Sequence, residues 1–473
     1  HNQQVEQINN YNMERRDFLK SAAVLTAGFT TNTHIFGTVT SSHKTGANDK
    51  VRMGFIGVGN RGSELLGLFM QQPDCEVAAL CDIYEPYLHR DRSKVNERWL
   101  KDLTDKIPKM GEKFPKQPKL YSDFRKLLDD KDIDAVCIAT PDHWHAYITI
   151  AAIKAGKDVY CEKPLTSTLR EGRKMVEAQA ASKQVVAVGI NRRGNIAYQK
   201  LVAEIHAGRI GQITVGRAAH ISNLFPNGIG KMQPEEPPKD FNWDMWLGPR
   251  AYRPYQYNIA PYKFRWWGDY SSQMGNWGVH HLDALRWLMN ETAPTYISAH
   301  GGKYVLNHDA DIDDTAFVTF EFASGKIITY SIMETTSGGM FPYGELELRG
   351  TDGIAYAYEG GYRIRPTSPG QFQNWNKHFD EISFDNKMKL LGDASSADST
   401  TGLIRDFLDC VKSRQTPLCP LEEGHRSTSF AHLANIALAT KERLHWDAVN
   451  ERFLNSEKAN EMLGYEYRRP WTI

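Results

Sequence analysis

Gly57-Val58-Gly59-Asn60-Arg61-Gly62 is a GxGxxG sequence placed directly behind the short apolar run Val51 to Ile56. In that setting each glycine has a physical task. Gly57 makes the tight turn, Gly59 lets a pyrophosphate approach the backbone, and Gly62 lets the following helix pack close to the strand. The N-terminus of the helix behind the turn offers free N–H groups and a positive dipole end to phosphates, and Asn60 and Arg61 of the turn are expected cofactor contacts. The next apolar run, Glu76 to Leu80, leads to Asp82, 20 residues beyond Gly62. An acid at that distance accepts ribose hydroxyls and repels a 2′-phosphate, so the expected cofactor is NAD rather than NADP.

Such residues need a scaffold, and strand and helix patterns alternate along the first half. Strands are expected at Val51 to Ile56, Glu76 to Leu80, Ala135 to Thr140, Asp158 to Cys161 and Val185 to Gly189. Helices are expected from Ser63 to Gln71, near Phe124 to Asp129, from Ala146 to Ala155 and from Leu169 to Ser182. Alternation with continuous apolar strands predicts an α/β fold with an N-terminal Rossmann doubly wound parallel sheet over residues 51–193. Ligands of such sheets sit beyond the carboxyl ends of the strands. Thr140-Pro141, Glu162-Lys163-Pro164 and Asn191-Arg192 all fall there. The charged segment Tyr84 to Tyr121, with Pro108, Pro115 and Pro118, reads as a surface insertion.

From about Gly194 the pattern changes. A helix from Ile196 to Gly208 leads into segments that alternate apolar and polar residues: Ile213 to Ser222, Tyr296 to Tyr304, Thr315 to Phe322, Lys326 to Met333, Gly344 to Gly350 and Gly353 to Tyr358. Alternation of this kind predicts an α+β domain over residues 194–473 with a mainly antiparallel sheet covered on one face. Between the first two strands lies an aromatic insertion with Trp243, Trp246, Trp266 and Trp267.

The strand–GxGxxG–Asp unit, Thr140-Pro141 with His145, and Cys161-Glu162-Lys163-Pro164-Leu165 together resemble the glucose–fructose oxidoreductase / inositol dehydrogenase / rhizopine-catabolism family of sugar oxidoreductases, over about residues 50–470. The resemblance implies that Lys163 contacts both the nicotinamide ribose and the substrate hydroxyl. It implies a frequently cis Lys163–Pro164 bond, cofactor contacts from His145 and Glu162, and a large open C-terminal sheet used partly between subunits, hence a homodimer or homotetramer. The family usually carries Asp-x-Gly-x-His-x-x-Asp where this chain has Asn276-Trp277-Gly278-Val279-His280-His281-Leu282-Asp283. Positions 276, 280 and 283 share one helical face. His280 is the expected proton acceptor, because imidazole can titrate near neutral pH. Asn276 cannot be a base and is left to orient the substrate or Lys163. Lys163, His280 and Asn276 form the expected catalytic set. Arg265, Trp266, Asn276, His280 and His281 are the expected substrate contacts.

Two function classes follow from this resemblance. One is an NAD-dependent oxidoreductase that takes hydride from the carbon bearing a sugar hydroxyl. The other, found in one branch of the family, is a redox-neutral glycoside hydrolase that oxidises C3 transiently and cleaves by elimination. A non-catalytic sugar- or nucleotide-binding module is the third reading, supported only by Asn276. No metal is expected: His143 and His145 are two apart, His280 and His281 are adjacent, and neither pair has metal-motif spacing.

Near the start, Arg15-Arg16-Asp17-Phe18-Leu19-Lys20 precedes a mildly apolar stretch, Ser21 to Phe36, and Met13 could be a natural start. Arg-Arg-x-Phe-Leu-Lys resembles a twin-arginine signal, so residues 1–50 are expected to be an export signal and linker, and the protein periplasmic or otherwise exported. The composition is ordinary for a globular protein, 41% hydrophobic and 24% charged, and the 11% of aromatic residues suit sugar rings or fill a core. Lys plus Arg equal Asp plus Glu at 57 each, which offers no basic excess for a nucleic acid. No apolar run is long enough to cross a membrane. The partner expected is a small-molecule carbohydrate.

Overall fold

The computed structural model describes residues 50–372, 374–386 and 394–473. The twin arginine Arg15-Arg16, the apolar stretch behind it and the linker up to residue 49 lie outside them. Six strands form the first sheet: β1 (Val51–Ile56), β2 (Cys75–Cys81), β3 (Lys119–Tyr121), β4 (Ala135–Ile138), β5 (Asp158–Cys161) and β6 (Val186–Val188). Their order is β3-β2-β1-β4-β5-β6, and every pairing is parallel. The order reverses between β1 and β4, which opens a crevice at their carboxyl ends. Strands β4, β5 and β6 are buried at every position, the reason they read as unbroken apolar runs.

The sheet is covered by α1 (Asn60–Met70), α2 (Phe124–Asp129), α3 (Asp142–Lys154) and α4 (Leu169–Ala180). Two of these start earlier than their apolar patterns suggest. Helix α1 opens at Asn60 and α3 at Asp142, because polar residues and a glycine make their first turns.

Helix α5 (Ile196–His206) precedes a ten-stranded sheet. Its strands are β7 (Ile213–Ile221), β8 (Tyr296–Gly302), β9 (Thr315–Glu321), β10 (Ile327–Met333), β11 (Leu346–Gly350), β12 (Gly353–Tyr358), β13 (Gly361–Pro366), β14 (Ile382–Asp385), β15 (Leu444–Asp447) and β16 (Arg452–Phe453). The order is β14-β13-β12-β11-β7-β10-β9-β8-β15-β16, antiparallel except between β7 and β10. Three further helices are α6 (Val279–Met289), α7 (Ala394–Ser413) and α8 (Leu421–Thr440). Helices α6 and α8 pack on the sheet's apolar face, where Leu282, Leu285, Phe320, Ile328 and Phe430 form one core. Phe320 is fully buried with its ring 5.0 Å from that of Phe430. Truncating such a side chain to alanine costs about 3–5 kcal/mol.

The segment from Tyr84 to Tyr121 is not a loose surface insertion. Tyr84, Tyr87, Val95, Trp99, Leu103 and Ile107 are buried, and Tyr84 and Trp99 pack against Phe241 of the second half. Arg90 turns inward, donating to the Val58 carbonyl at 2.7 Å and to Glu112. Charged residues fall between these buried anchors, and Pro108, Pro115 and Pro118 follow the last of them. The C-terminal Arg468-Arg469-Pro470-Trp471 folds back on its own chain. Trp471 lies edge-on to Trp144 and Tyr147 at 4.8 and 5.2 Å, and Arg468 donates to the Gly248 carbonyl at 3.0 Å. No helix among the described residues is long and apolar enough to cross a membrane.

Candidate active site

The β1–α1 turn is built around two glycines. Gly57 sits at φ +83°, and a Cβ there would lie 2.9 Å from the Ala139 backbone. A Cβ on Gly62 would lie 1.9 Å from the Gly57 carbonyl oxygen, so the helix closes on the strand only because Gly62 has none. Asp82 braces the same turn. Its two carboxylate oxygens accept from Val58 N at 2.8 Å and Tyr84 N at 2.9 Å. Burial raises its pKa, and these backbone donors oppose that shift. Each oxygen keeps a second lone pair for a ribose hydroxyl.

Glu162-Lys163-Pro164 leaves the end of β5, with the Lys163–Pro164 bond cis, as the sequence resemblance implies. Glu162 is buried and accepts from Arg61 Nε at 3.0 Å and from Lys163 N at 3.2 Å. The amine of Lys163 donates to the Asn276 carbonyl at 2.8 Å and approaches Asn276 Oδ1 at 3.3 Å. Asn276 stands on a π-helical turn, Met274–Gly278, which runs into α6. Such turns recur at functional sites because they re-aim side chains.

These groups share one cavity of about 650 Å³. Its wall carries Gly57, Gly59, Asn60, Arg61, Asp82, Thr140, Pro141, Glu162, Lys163, Arg265, Trp266, Asn276 and His280. Thr140 Oγ1 is buried there with no hydrogen-bond partner. A buried orphan hydroxyl is costly unless something polar reaches it. The glycine cradle, the half-free Asp82 carboxylate and the orphan Thr140 hydroxyl fit a dinucleotide.

Charge distribution separates the two proton-handling candidates. Burial, then the neighbouring cations Arg61 and Arg265, pull the Lys163 amine from 10.5 down to about 8, with Glu162 opposing. Burial, then Lys163 and Arg192, hold His280 well below 6.5. The near-neutral titration expected of His280 therefore belongs to Lys163. Desolvation disfavours the cation in both, but the amine starts four units higher. His280 is neutral and buried, with Nδ1 unpartnered.

Two expected contacts lie behind the wall. His145 sets its ring nitrogens 2.8 Å from the Pro164 and Thr140 carbonyls, bridging the cis peptide to the β4–α3 turn. His281 is buried between Tyr330 Oη at 3.2 Å and Glu345 at 3.3 Å. In each, both ring nitrogens face partners on neighbouring strands or turns. Asp283, expected on the face of 276 and 280, is fully buried and accepts from Arg193 at 3.0 Å and from Ser427 at 2.5 Å.

Of the four tryptophans in the aromatic insertion, Trp246 and Trp266 reach the wall, and Trp277 joins them. Trp243 stacks behind Trp246 at 4.9 Å, and Trp267 donates to the Asn258 carbonyl at 2.8 Å. The Trp266 indole donates to buried Glu334 at 3.0 and 3.1 Å, and burial lifts that carboxyl to about 7.

Sequence reasoning gave no role to Arg192, Glu345 or Glu359, which also line the cavity. Arg192 meets Glu345 at 2.8 Å and Glu359 at 2.7 Å. Arg192 at a strand end was a signal; the two acids, near β11 and β13, gave none. Asp142, at the start of α3, accepts from Ser271. Among the described residues no cluster of three or more His, Cys, Asp or Glu could hold a metal. All six cysteines are free, and burial pushes Cys161 and Cys419 up to about 12 and Cys81 and Cys137 well above their ordinary value.

Residues 51–190 match the family described as "Oxidoreductase family, NAD-binding Rossmann fold", and residues 253–442 match its "C-terminal alpha/beta domain". The chain is 25% identical over 369 residues to inositol 2-dehydrogenase 4 of Saccharopolyspora erythraea, covering 75% of this chain and 88% of that protein. It is 29% identical over 258 residues to levoglucosan dehydrogenase of Pseudarthrobacter phenanthrenivorans, covering 50% of this chain and 59% of the relative. A glycosyl hydrolase family 109 protein of a Shewanella strain is 28% identical over 232 residues, covering 45% of this chain and 47% of the relative. Among solved structures, levoglucosan dehydrogenase in complex with NADH and levoglucosan superposes with a TM-score of 0.59 at 19% identity, covering 84% of this chain and 99% of that one. At that identity the likeness is one of fold.

Proposed function

We infer the activity from one premise: the chain belongs to the glucose–fructose oxidoreductase / inositol dehydrogenase / rhizopine-catabolism family of oxidoreductases, and its first domain is an NAD-binding Rossmann fold. We propose that it oxidises a hydroxyl of a sugar or sugar derivative. The observation that carries this reading is the Lys163 amine. It lies in the same cavity wall as the dinucleotide turn, bonded to Asn276, and is pulled down to about 8. A group so poised can take a hydroxyl proton near neutral pH. Bound NAD supplies the hydride acceptor for the carbon bearing that hydroxyl.

In this reading the neutral Lys163 amine removes the proton at Nζ. Asn276 holds the amine through its carbonyl and, more weakly, its side chain. The cation formed on Lys163 is offset by Glu162, whose charge favours it. His280, neutral, offers a hydrogen bond to a substrate hydroxyl but carries no charge to the site. Arg265, Trp266 and Asn276 remain substrate contacts, and Gly57 to Gly62, Asp82, Thr140, Pro141 and Glu162 hold the cofactor. The domain division at residues 193 and 194, export through a twin-arginine signal into the periplasm, and assembly as a homodimer or homotetramer belong to the same proposal.

A second reading is redox-neutral glycoside cleavage, supported by relatives named glycosyl hydrolase family 109 proteins. Incubating the NAD-loaded protein with free sugars and with aryl glycosides separates the two. Net NADH from free sugars supports oxidation. Aglycone release without net NADH supports cleavage. Neither product, with NAD bound, would leave only a binding module.

A further inference from the structure

The cations of the cavity wall differ in how their charge is met. Arg61 pairs with Glu162 at 3.0 Å and Glu64 at 2.9 Å. Arg192 pairs with Glu345 and Glu359. Arg265 has no ion-pair partner among the described residues. Its Nη1 donates to the Tyr262 carbonyl at 2.8 Å, and its guanidinium lies 4.1 Å over the Tyr262 ring and 4.6 Å over that of Phe264. Among the described residues the Tyr262 carbonyl is the one acceptor that its N–H donors reach. Burial lowers its pKa, and Tyr262 and the acids Asp142, Glu64 and Glu162 only partly oppose that shift. The side chain is half-buried and lines the cavity, so its charge is open to a ligand there.

Position narrows the meaning. Arg265 and Lys163 line the same cavity, and the charge of Arg265 helps lower the amine's pKa. Lys106, on the same cavity wall and also without an ion pair, lies 5.5 Å from the same Tyr262 ring. Two cations on the cavity wall, Arg265 and Lys106, thus lie by the Tyr262 ring with no ion pair among the described residues.

We propose that Arg265 receives an oxyanion in this cavity, and that the oxyanion is the carboxylate of an acidic sugar, making sugar acids rather than neutral sugars the substrate class. This inference rests on the sugar-oxidation reading and deepens it. A planar guanidinium meets a carboxylate with two parallel N–H···O bonds. The phosphates of the dinucleotide are the other source of the same chemistry.

The test uses the full-length, NAD-loaded protein. D-glucuronate, D-galacturonate and the corresponding neutral hexoses are titrated while fluorescence of the wall tryptophans and NADH formation are followed. Wild type should bind the uronates at least about tenfold more tightly than the hexoses. Arg265→Gln should erase that preference, weakening uronate binding by roughly 10- to 100-fold and hexose binding by far less, with NAD still bound. Arg265→Lys, which keeps the charge, should retain part of the preference and guards against a folding defect in the glutamine variant. Acidic and neutral sugars binding alike, no binding of either included, would overturn the inference. So would a loss of NAD affinity in Arg265→Gln matching the loss for uronates, which would assign the guanidinium to a cofactor phosphate. NADH formed from neutral hexoses alone would sink this inference while leaving the oxidation reading intact. Arg265-dependent uronate binding without NADH from any sugar would do the reverse.

Discussion

On the proposed mechanism, in which the neutral form of Lys163 is the base, raising the pH through about 8 should switch on sugar oxidation. The cavity wall sets the size of the effect. With the amine titrating at about 8 instead of 10.5, roughly 9% is neutral at pH 7 rather than about 0.03%, a roughly 300-fold gain in competent base. The sign follows from the depressed value: the cation is disfavoured in the fold, so activity in the oxidative direction is lost as pH falls through 8 and is full above it. The assay is kcat/KM for the sugar at saturating NAD, followed as NADH from about pH 6 to about pH 10. Its logarithm should climb with unit slope and level off near 8. Lys163→Met should lower kcat/KM by roughly 10²- to 10⁴-fold and remove the break, while NAD still binds. A flat wild-type profile, or a break near 8 that survives in Lys163→Met, would refute the assignment of Lys163 as base.

Four more outcomes follow from particular contacts. His280, held neutral by burial and nearby cations, should add no second break near its ordinary value of 6.5; His280→Gln should lower kcat without moving the break near 8. Buried Glu334 should make the fluorescence of Trp266 titrate with a midpoint near 7, and Glu334→Gln should abolish that transition. Because the Glu334 pKa is raised above 4.5, its contribution to stability should decline between about pH 4.5 and 7, visible as a falling Tm difference between wild type and Glu334→Gln. Gly62→Ala places a methyl 1.9 Å from the Gly57 carbonyl, so NAD titration should show affinity lost by at least about 100-fold, or a melt should show the turn unfolded.

The dinucleotide half was legible in the sequence because its chemistry is local. Gly57, Gly62 and Asp82 act through the turn they build, and the buried strands β4 and β5 show as apolar runs. Lys163 was legible as a strand-end residue in a recognisable setting. What was hidden depends on long-range packing. Nothing near Glu345 or Glu359 in sequence announces Arg192, more than 150 residues away. His145 and His281 stood out as chemistry-bearing residues, yet each is absorbed by carbonyls or side chains brought in from other elements. His280 occupied the expected place with an unexpected charge state, since burial cannot be read from residue type. The same is true of Trp99 and Tyr84, which looked like part of a charged loop and are core. Strands β13 to β16 and helices α7 and α8 went unassigned, β16 being two residues long and α8 buried on much of its surface, so that neither shows a clear periodicity.

The most direct test is rapid mixing of the NAD-loaded protein with a panel of neutral and acidic sugars, watching for reduced nicotinamide, in wild type and in Lys163→Met. Reduced nicotinamide should form with at least one sugar in wild type and not in the variant, although both hold NAD equally. Failure of wild type to reduce bound NAD with any sugar, or equal reduction by Lys163→Met, would contradict hydride transfer supported by Lys163.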